Sequence, residues 1–339
     1  MEYTKIGWSG IEVSKVCLGG MSFGEASPDF HQWTIDQPAT QEVIKHAFEQ
    51  GINFIDTANV YSFGTSEEYI GQSLKNLGIR RDDVVLASKV HFNEGGLSAK
   101  AISREIEGSL KRLGTDYLDL YIIHRFDYDV PMEETLEALD NLVKAGKVRA
   151  LGASAMYAYQ FHNMQTIAER EGFTKFTSMQ NHYNLLYRED ERELVPVCKQ
   201  YDVALTPYSP LAGGHLCHLS WESDSLRGKT DKGTANKYGL AKNQDVPIIE
   251  RVKEVADARG ATMASVAFAW LISKGCASPI VGCSKTKYVD DAIAGLELKL
   301  TEDEVDYLEE PYVAHELVGP KSRPGEKPLA GTTNVKITR

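Results

Sequence analysis

Four side chains that can exchange or fix protons lie at or just after the ends of apolar segments of this sequence. They are Asp56, Tyr61, Lys89 and His124. A carboxylate or an ammonium group at the end of an apolar segment is costly unless it is paired or exposed. We therefore expect these side chains to form one paired cluster, provided that the fold brings the segment ends together.

The residue types of this set suit the transfer of a proton to a carbonyl oxygen. A free tyrosine has a pKa of about 10, so Tyr61 acts as an acid or base near neutral pH only if a fixed cation stabilises its phenolate. Lys89 is predicted to be that cation, and Asp56 to hold Lys89 protonated and in place. His124 could donate a hydrogen bond to the carbonyl oxygen and align the molecule that carries it.

Eight short apolar segments alternate with amphipathic ones, and they are the predicted strands that position these side chains. The strands are predicted at residues 16–20, 53–58, 84–90, 118–124, 148–154, 176–180, 203–209 and 278–282. Two of the intervening helices show apolar residues at helical spacing. These are Ile102, Ile106, Leu110 and Leu113 in one, and Met132, Leu136, Leu139 and Val143 in the other, which Gly146 is placed to end. Thr65 and Glu68 have the spacing of a capping box at the start of a third helix.

Eight β-α units in one chain predict an α/β fold, a closed (β/α)₈ TIM barrel. An alternating segment around Ser9 and Gly10 predicts an N-terminal hairpin that caps the barrel. Long loops follow strand 1 (residues 22–39) and strand 7 (residues 212–246). We expect residues 1–315 to form a single domain, with a helix after residue 301 and a C-terminal tail at 316–339. Because active sites of such barrels lie at the C-terminal ends of the strands, the four side chains can meet at one mouth.

Composition excludes several classes of function. The 339 residues carry a net charge of -11, which argues against a nucleic-acid partner. The N-terminus lacks a signal-peptide pattern and no apolar run has transmembrane length, so we predict a cytoplasmic protein without a membrane partner. Five scattered cysteines predict reduced thiols rather than disulfides or zinc ligands. His215 and His218 are a weak metal pair, and no metal site is predicted.

A site that protonates a carbonyl oxygen also needs a hydride source, which no side chain supplies, so a cofactor is required. No GxGxxG motif follows the first strand, which argues against a Rossmann-type nicotinamide site. The later strands offer another site. Ser154 and Gln180 are suited to bind a carboxamide, Tyr208 could stack on a flat ring, and the backbone of the loop 209–214 could approach phosphates.

The ordered motifs resemble those of the aldo-keto reductases over roughly residues 1–315. They are the segment from Gly51 to Glu68, "ASKV", "IIHR", "GAS", "MQNHYN", "PYSPLAGG" and "VGCSKTKYVDDAI". The sequence looks most like bacterial members with an extended first loop. The resemblance implies an NADP(H)-preferring reductase of aldehydes or ketones, with NAD(H) possible and a small-molecule carbonyl compound as substrate.

The resemblance also implies roles for individual residues. Tyr61 would be the general acid, Asp56 and Lys89 its tuning pair and His124 the substrate orienter. The implied cofactor-binding residues are Gly20, Met21, Asp56, Ser154, Gln180, Tyr208, Ser209, Pro210, Leu211, Gly213, Gly214, Gly282, Ser284, Lys285, Tyr288 and Asp291. Among them, Ser284 and Lys285 would meet a 2′-phosphate and Asp291 the adenine. Ala155 and Ala292 replace asparagines found in many relatives, so fewer hydrogen bonds to the dinucleotide are expected.

Two alternatives stay open at this point. The β subunits of potassium channels resemble this sequence in "PMEETLEAL" and use the same fold to hold a nucleotide and regulate a partner, but they carry asparagine where His124 stands. A barrel that serves only as a scaffold would turn over no carbonyl compound. Phe30 and Trp33 either line an apolar substrate pocket or anchor the first long loop. The substrate itself and the oligomeric state do not follow from the sequence.

Overall fold

The structure is a computed structural model of the chain and describes residues 1–317. It begins with an antiparallel hairpin of β1 (Tyr3–Lys5) and β2 (Glu12–Ser14), in which Thr4 pairs with Val13. The central sheet follows. Its strands are β3 (Cys17–Gly19), β4 (Phe54–Asp56), β5 (Val85–Val90), β6 (Leu118–Ile123), β7 (Val148–Ser154), β8 (Phe176–Gln180), β9 (Ala204–Leu205) and β10 (Ile280–Gly282).

The eight strands of this sheet close into a barrel. Each strand from β3 to β8 pairs in parallel with the next along the chain, and β10 pairs in parallel with β3. Backbone hydrogen bonds join the remaining edges, because the N–H groups of Ala277 and Ile280 donate to the carbonyls of Leu205 and Pro207, both at 2.9 Å. The (β/α)₈ prediction is confirmed, and all strands end at one mouth.

Besides short 3₁₀ turns, residues 1–317 form twelve α-helices. They are α1 (Gln37–Glu49), α2 (Thr65–Leu77), α3 (Ala99–Leu113), α4 (Met132–Lys144), α5 (Ala158–Glu171), α6 (Leu194–Gln200), α7 (Leu226–Thr230), α8 (Lys232–Tyr238), α9 (Lys242–Arg259), α10 (Met263–Ser273), α11 (Thr286–Glu297) and α12 (Glu302–Glu309). The two helices predicted from apolar spacing are α3 and α4, and α12 is the helix predicted after residue 301. Gly146 follows α4 with φ of 74°, the left-handed conformation that glycine adopts at helix ends.

The apolar core has two parts. Inside the barrel, Phe54, Ala87 and Leu120 are buried together, and Ile6 and Val13 of the hairpin region pack with them. The hairpin therefore caps the barrel, as predicted. A larger apolar layer lies between the strands and the surrounding helices. Burying both faces of the strands fixes their register, so the side chains at their C-terminal ends have defined positions.

The structure corrects one local prediction and refines others. The capping box at Thr65 is wrong, because Gly64 is the N-cap of α2 and the Thr65 hydroxyl instead donates to the Ser62 carbonyl at 2.8 Å. The second long loop, residues 212–246, is largely helical, since it contains α7, α8 and the start of α9. The tail beyond residue 317 lies outside the described residues. Among residues 1–317, no helix has the length and apolar character needed to span a membrane.

Candidate active site

Lys89 lies at the centre of a buried hydrogen-bonded cluster at the barrel mouth. Its Nζ donates to Oδ1 of Asp56 at 2.5 Å, to the carbonyl of Thr57 at 2.7 Å and to the hydroxyl of Tyr61 at 3.2 Å. The side chain is fully buried, with a relative exposure of 0%. A lysine ammonium group has three donors, and all three have a partner here. Strands β4 and β5 thus bring together the three residues that the sequence placed in one cluster.

Asp56 connects this cluster to the opposite side of the barrel. Its second carboxylate oxygen accepts a hydrogen bond from Nε2 of Gln180 at 3.0 Å, and the hydroxyl of Ser154 donates to the backbone carbonyl of Gln180 at 2.8 Å. The sequence had assigned Ser154 and Gln180 to a carboxamide. The structure commits the amide nitrogen of Gln180 to Asp56, so its Oε1 is the atom that could accept from such a ligand.

The segment after β4 holds Tyr61 in an uncommon backbone conformation. Ser62 and Phe63 both have positive φ values, 45° and 56°, in a short 3₁₀ turn that starts at Tyr61. Positive φ is rare for residues other than glycine, especially for bulky ones, and such strain concentrates at functional sites. The turn directs the Tyr61 hydroxyl to Lys89 and leaves the Phe63 side chain exposed.

The electrostatics of the cluster follow from its burial. Burial raises the pKa of Tyr61 above its usual value, and the neighbouring Lys89 opposes this effect without overcoming it. Burial alone would lower the pKa of Lys89, but Asp56 and Tyr61 outweigh it, so the pKa is raised and the ammonium is charged. Tyr61 therefore keeps its proton at neutral pH. The sequence-based expectation of a tyrosine tuned mainly by Lys89 understated the effect of burial.

His124 directly follows β6 and faces Tyr61. The centroids of the two rings are 5.7 Å apart in an edge-to-face arrangement, and Phe92 packs on the same imidazole at 5.0 Å. Burial and the charges of Lys89 and Arg125 hold the pKa of His124 well below its usual value, so the imidazole is neutral. A neutral imidazole can donate one hydrogen bond from one ring nitrogen.

Tyr208 presents a flat ring at the opposite side of the mouth. The imidazole of His182 lies parallel to it, with centroids 5.3 Å apart and planes at 7°, and Nε2 of His182 contacts the hydroxyl of Tyr238 at 2.7 Å. His182, which is not among the site residues predicted from the sequence, therefore supports the ring of Tyr208. Nζ of Lys237 lies 4.8 Å from the centroid of the Tyr208 ring.

The loop after Tyr208 has the backbone geometry of an anion-binding loop. Ser209, Ala212, Gly213 and Gly214 all have positive φ values. Successive N–H groups in such turns line a concave site and donate hydrogen bonds to phosphate oxygens. Thr234 of α8 packs so closely on Gly213 that a Cβ there would meet its Cγ2 at 2.5 Å, so a side chain at this position would not fit.

A cavity of about 540 Å³ lies between this loop, the α9–α10 region and α11. Its walls include Leu211, Tyr288 and Asp291, which the sequence had assigned to the cofactor, and Lys287, which it had not. Ser284 and Lys285 lie just before α11 and are not among the described residues that line the cavity. The volume is in the range of ligand pockets, and its mixed walls suit a nucleoside.

The other residues implied by the resemblance lie around the end of β3. Gly20 and Met21 form a 3₁₀ turn there, and the carbonyl of Gly20 accepts from the Ser66 hydroxyl at 2.8 Å. Gly282 ends β10 beside this turn, where a Cβ would lie 3.4 Å from Oγ of Ser22. Pro210 is buried in the loop that follows Tyr208. Gly20, Met21 and Gly282 thus lie together near the end of β3, at the same mouth of the barrel as the loop that contains Pro210.

The first long loop contributes both a wall and an anchor. Phe30 lies 6.5 Å from the Tyr61 ring and 5.8 Å from the Phe63 ring, so it lines the mouth. Trp33 is buried, and the guanidinium of Arg227 from α7 covers it at 4.2 Å. Of the two roles left open by the sequence, Phe30 therefore lines the mouth of the barrel, whereas Trp33 anchors the first long loop.

Sequence reasoning missed five residues at this mouth and its groove. They are Phe63, Phe92, Arg125, Lys237 and Lys287. Three of them lie within the motifs quoted above: Arg125 directly follows His124 in "IIHR", Lys287 lies in "VGCSKTKYVDDAI", and Phe63 lies in the segment from Gly51 to Glu68. Lys237 lies on a short helix within a segment that was interpreted as a loop, and the exposure of Phe63 depends on backbone angles that no periodicity reveals.

The comparison with known proteins agrees with this geometry. The model of the Aldo/keto reductase family matches residues 15–312. The chain belongs to the aldo/keto reductase family. Members of this family are oxidoreductases of carbonyl compounds or aryl alcohols that use nicotinamide cofactors, so this aldo-keto reductase is an oxidoreductase.

Individual relatives cover nearly the whole chain. The versiconal hemiacetal acetate reductase of Aspergillus parasiticus is 42% identical, over 96% of this chain and 100% of its own length. A protein of Schizosaccharomyces pombe whose name assigns it to the aryl-alcohol dehydrogenases is 42% identical, over 91% of this chain and 95% of its own. The solved structure of a thermostable aldo-keto reductase, Tm1743, bound to the inhibitor epalrestat, matches with a TM-score of 0.75 at 28% identity, covering 92% of this chain and 100% of that one.

Proposed function

We propose that this aldo-keto reductase is a cytoplasmic, NADPH-dependent enzyme that reduces an aldehyde or ketone to an alcohol. The buried contact between Lys89, Asp56 and the hydroxyl of Tyr61 is the observation that carries the proposal. A scaffold protein would have no need for a charged, buried ammonium group beside a protonated tyrosine. We further propose that residues 1–315 act as one domain, with residues 316–339 as its tail.

The proton in this reaction comes from the Tyr61 hydroxyl. The carbonyl oxygen of the substrate accepts hydrogen bonds from Tyr61 and from the neutral imidazole of His124, which polarise the carbonyl and orient it. As Tyr61 gives up its proton, Lys89 at 3.2 Å stabilises the phenolate that remains. Asp56 and Gln180 keep Lys89 charged and fixed throughout, so no reorganisation is needed at the moment of transfer.

The residues of the groove fit a nicotinamide dinucleotide. Ser154 and Oε1 of Gln180 would bind the carboxamide, and the Tyr208 ring would pack on the nicotinamide. The loop 209–214 would hold the pyrophosphate, and the cavity beside Tyr288 and Asp291 the adenosine. When bound there, the reduced cofactor supplies the hydride.

A 2′-phosphate would distinguish NADPH from NADH. Ser284 and Lys285 precede α11, and Lys287 of the same segment lines the adenosine cavity. We propose that these residues favour NADPH, with the lysines as the cations that meet the phosphate. NADH would lose those contacts and bind more weakly.

Aromatic carbonyl compounds fit the mouth best. The ring of Phe30 lies 6.5 Å from Tyr61 and 5.8 Å from Phe63, and the ring of Phe92 lies 5.0 Å from His124. Aromatic rings favour packing on other aromatic rings at such distances. The Schizosaccharomyces pombe relative is named for aryl alcohols, which supports this substrate class for the present chain.

The test is NADPH oxidation with 4-nitrobenzaldehyde by the native protein and by Tyr61→Phe. We expect the substitution to lower kcat by about 10²- to 10⁴-fold, the usual contribution of a positioned general acid. Binding of NADPH, followed by fluorescence, should stay unchanged. Tyr3→Phe is the matched control, because Tyr3 lies in the hairpin at the far end of the barrel.

Three outcomes would contradict the proposal or a part of it. If native protein binds NADPH but reduces no aldehyde or ketone, the protein is a nucleotide-binding regulator of the kind known among channel β subunits. If Tyr61→Phe retains full activity, another group supplies the proton. A higher kcat/KM with NADH than with NADPH would refute the proposed role of the lysines near α11.

A further inference from the structure

Arg125 differs from every other half-buried arginine that the structure describes. The others each form an ion pair with a carboxylate. The pairs are Arg81 with Asp119, Arg112 with Glu67, Arg188 with Glu309, Arg227 with Asp231 and Arg251 with Glu310, at 2.6 to 3.1 Å. Arg125 has no carboxylate within 4 Å among residues 1–317, and its buried Nε has no hydrogen-bond partner there. A buried arginine with a structural role normally has hydrogen-bond partners within the protein. The described residues supply none to Nε of Arg125, so we infer that a ligand supplies the partner.

The position of Arg125 is at the catalytic mouth. It directly follows His124, and its guanidinium lies 4.5 Å from the centroid of the Phe92 ring. Phe92 in turn packs on the imidazole of His124. Arg125 is therefore one aromatic ring away from the group that faces the substrate carbonyl.

Lys237 is a second cation at this mouth. It belongs to α8, and its Nζ lies over the ring of Tyr208 rather than beside an acidic group. No carboxylate of the described chain lies within 4 Å of it. The two cations come from unrelated elements, and each lies against an aromatic ring that lines the mouth.

Burial makes the charged forms of Arg125 and Lys237 less favourable in the free protein. Burial lowers the pKa of Arg125 to about 10. Burial, together with Arg227 and Arg125, lowers the pKa of Lys237 to about 8, although Asp231 opposes this shift. An anion between the two cations would relieve this repulsion and replace the lost solvation. This local excess of positive charge is notable in a chain whose net charge is -11.

We propose that Arg125 and Lys237 form an anion-binding site within the substrate pocket, which takes a carboxylate group carried by the aromatic carbonyl substrate. The inference rests on the proposed reductase function and narrows its substrate class. A guanidinium and an ammonium group on different sides of a pocket bind the two oxygens of a carboxylate through charge-assisted hydrogen bonds. Cofactor phosphates share this chemistry and could reach Lys237, so the test separates the two sources.

The test compares 4-carboxybenzaldehyde with its methyl ester, which has the same ring and aldehyde but no charge. We expect Arg125→Met and Lys237→Met to lower kcat/KM for the acid by about 10- to 100-fold, mainly through KM, and to change that for the ester less than twofold. Methionine keeps an unbranched stem to pack on Phe92 and Tyr208. Lys232→Met, at an exposed position of the same helix α8, is the control and should leave both values unchanged.

A binding measurement gives a second readout that needs no turnover. Calorimetric titration with the product 4-carboxybenzyl alcohol should show weaker binding to both variants than to native protein, while NADPH affinity stays the same. Equal losses for acid and ester, or no loss, would overturn the proposal. So would a matching loss of NADPH affinity, which would assign the cations to the cofactor phosphates. If native protein reduces neither aldehyde, the reductase function fails, yet selective binding of the carboxylate would still support the anion site.

Discussion

Two regions meet at the mouth of this barrel and differ in how completely their side chains are satisfied. The strand-end cluster consists of Asp56, Tyr61, Lys89 and Gln180, and hydrogen bonds between buried polar atoms connect all four. The loop wall consists of Phe30, Phe63, Arg125 and Lys237. Phe63 is 67% exposed, and the two cations have no carboxylate partner within 4 Å among residues 1–317.

This difference indicates that the strand-end cluster and the loop wall have separate roles. A network that is complete without any ligand is already organised for the reaction, so its geometry need not change when a substrate arrives. Side chains that are exposed, strained or unpaired gain their missing contacts only when a ligand binds. We infer that the chemistry depends on the strands and that substrate choice depends on the loops.

The largest effect should come from breaking the strand-end cluster at Lys89. Lys89→Met leaves the Asp56 carboxylate buried without a cation and with only the neutral Gln180 amide as a side-chain donor, so we expect the free energy of unfolding to fall by about 3–5 kcal/mol. The rate should fall by at least about 100-fold, because the phenolate of Tyr61 loses its stabilising cation. Urea unfolding and kcat for 4-nitrobenzaldehyde measure the two effects.

A second substitution separates stability from chemistry in that cluster. Adding Asp56→Asn to Lys89→Met removes the unpaired carboxylate, and we expect it to restore most of the lost stability but none of the rate. Recovery of activity in the double variant would show that Lys89 acts only as a structural partner of Asp56.

The difference between the strand-end cluster and the loop wall also explains which residues could be predicted from the sequence. Asp56, Lys89 and His124 lie at or just after the ends of apolar runs, and parallel strands in a barrel bring such ends together, so the cluster followed from pattern and topology. The conformation of Phe63 could not be predicted, because its positive φ depends on the packing of the turn around it. Nor could the site of Lys237, since α8 is a seven-residue helix without a clear apolar stripe.

Burial explains the remaining differences. The sequence indicated that Tyr61 has a cation beside it, but the direction of its pKa depends on how much water is excluded, which only the packed structure specifies. The capping box failed for a similar reason. Thr65 has the right spacing from Glu68, but the preceding turn makes Gly64 the N-cap and uses the Thr65 hydroxyl for another contact.

Phe63→Gly should affect the loop wall alone. Glycine adopts the left-handed conformation without strain, which offsets its greater freedom in the unfolded chain, so we expect the stability to change by less than about 1 kcal/mol. The loss of one aromatic contact should raise KM for an aromatic aldehyde by about 3- to 10-fold. KM for a short aliphatic aldehyde is the internal control and should not change. A large fall in kcat would show that the Phe63 turn also positions Tyr61.

We expect the smallest effect in the pH dependence of reduction. This measurement compares the strand-end cluster and the loop wall in a single protein. For the methyl ester of 4-carboxybenzaldehyde we expect kcat/KM to stay level from pH 6 to 9. Burial and nearby cations hold the pKa of His124 well below its usual value, so its imidazole stays neutral, and burial raises the pKa of Tyr61 above its usual value, so the hydroxyl keeps its proton. The rate should fall only at higher pH, as Tyr61 loses the proton that it must donate.

For the acid, Lys237 adds a dependence that the ester lacks. Burial, together with Arg227 and Arg125, lowers the pKa of Lys237 to about 8, while Asp231 opposes the shift. The ammonium is charged below that pH and binds the carboxylate, and it loses its proton above it, so kcat/KM for the acid should decline by a few-fold between pH 7 and 9. Lys237→Met should abolish this decline. If acid and ester showed the same profile, Lys237 would not contact the substrate, and an inflection near pH 6.5 with the ester would mean that His124 titrates in the working range.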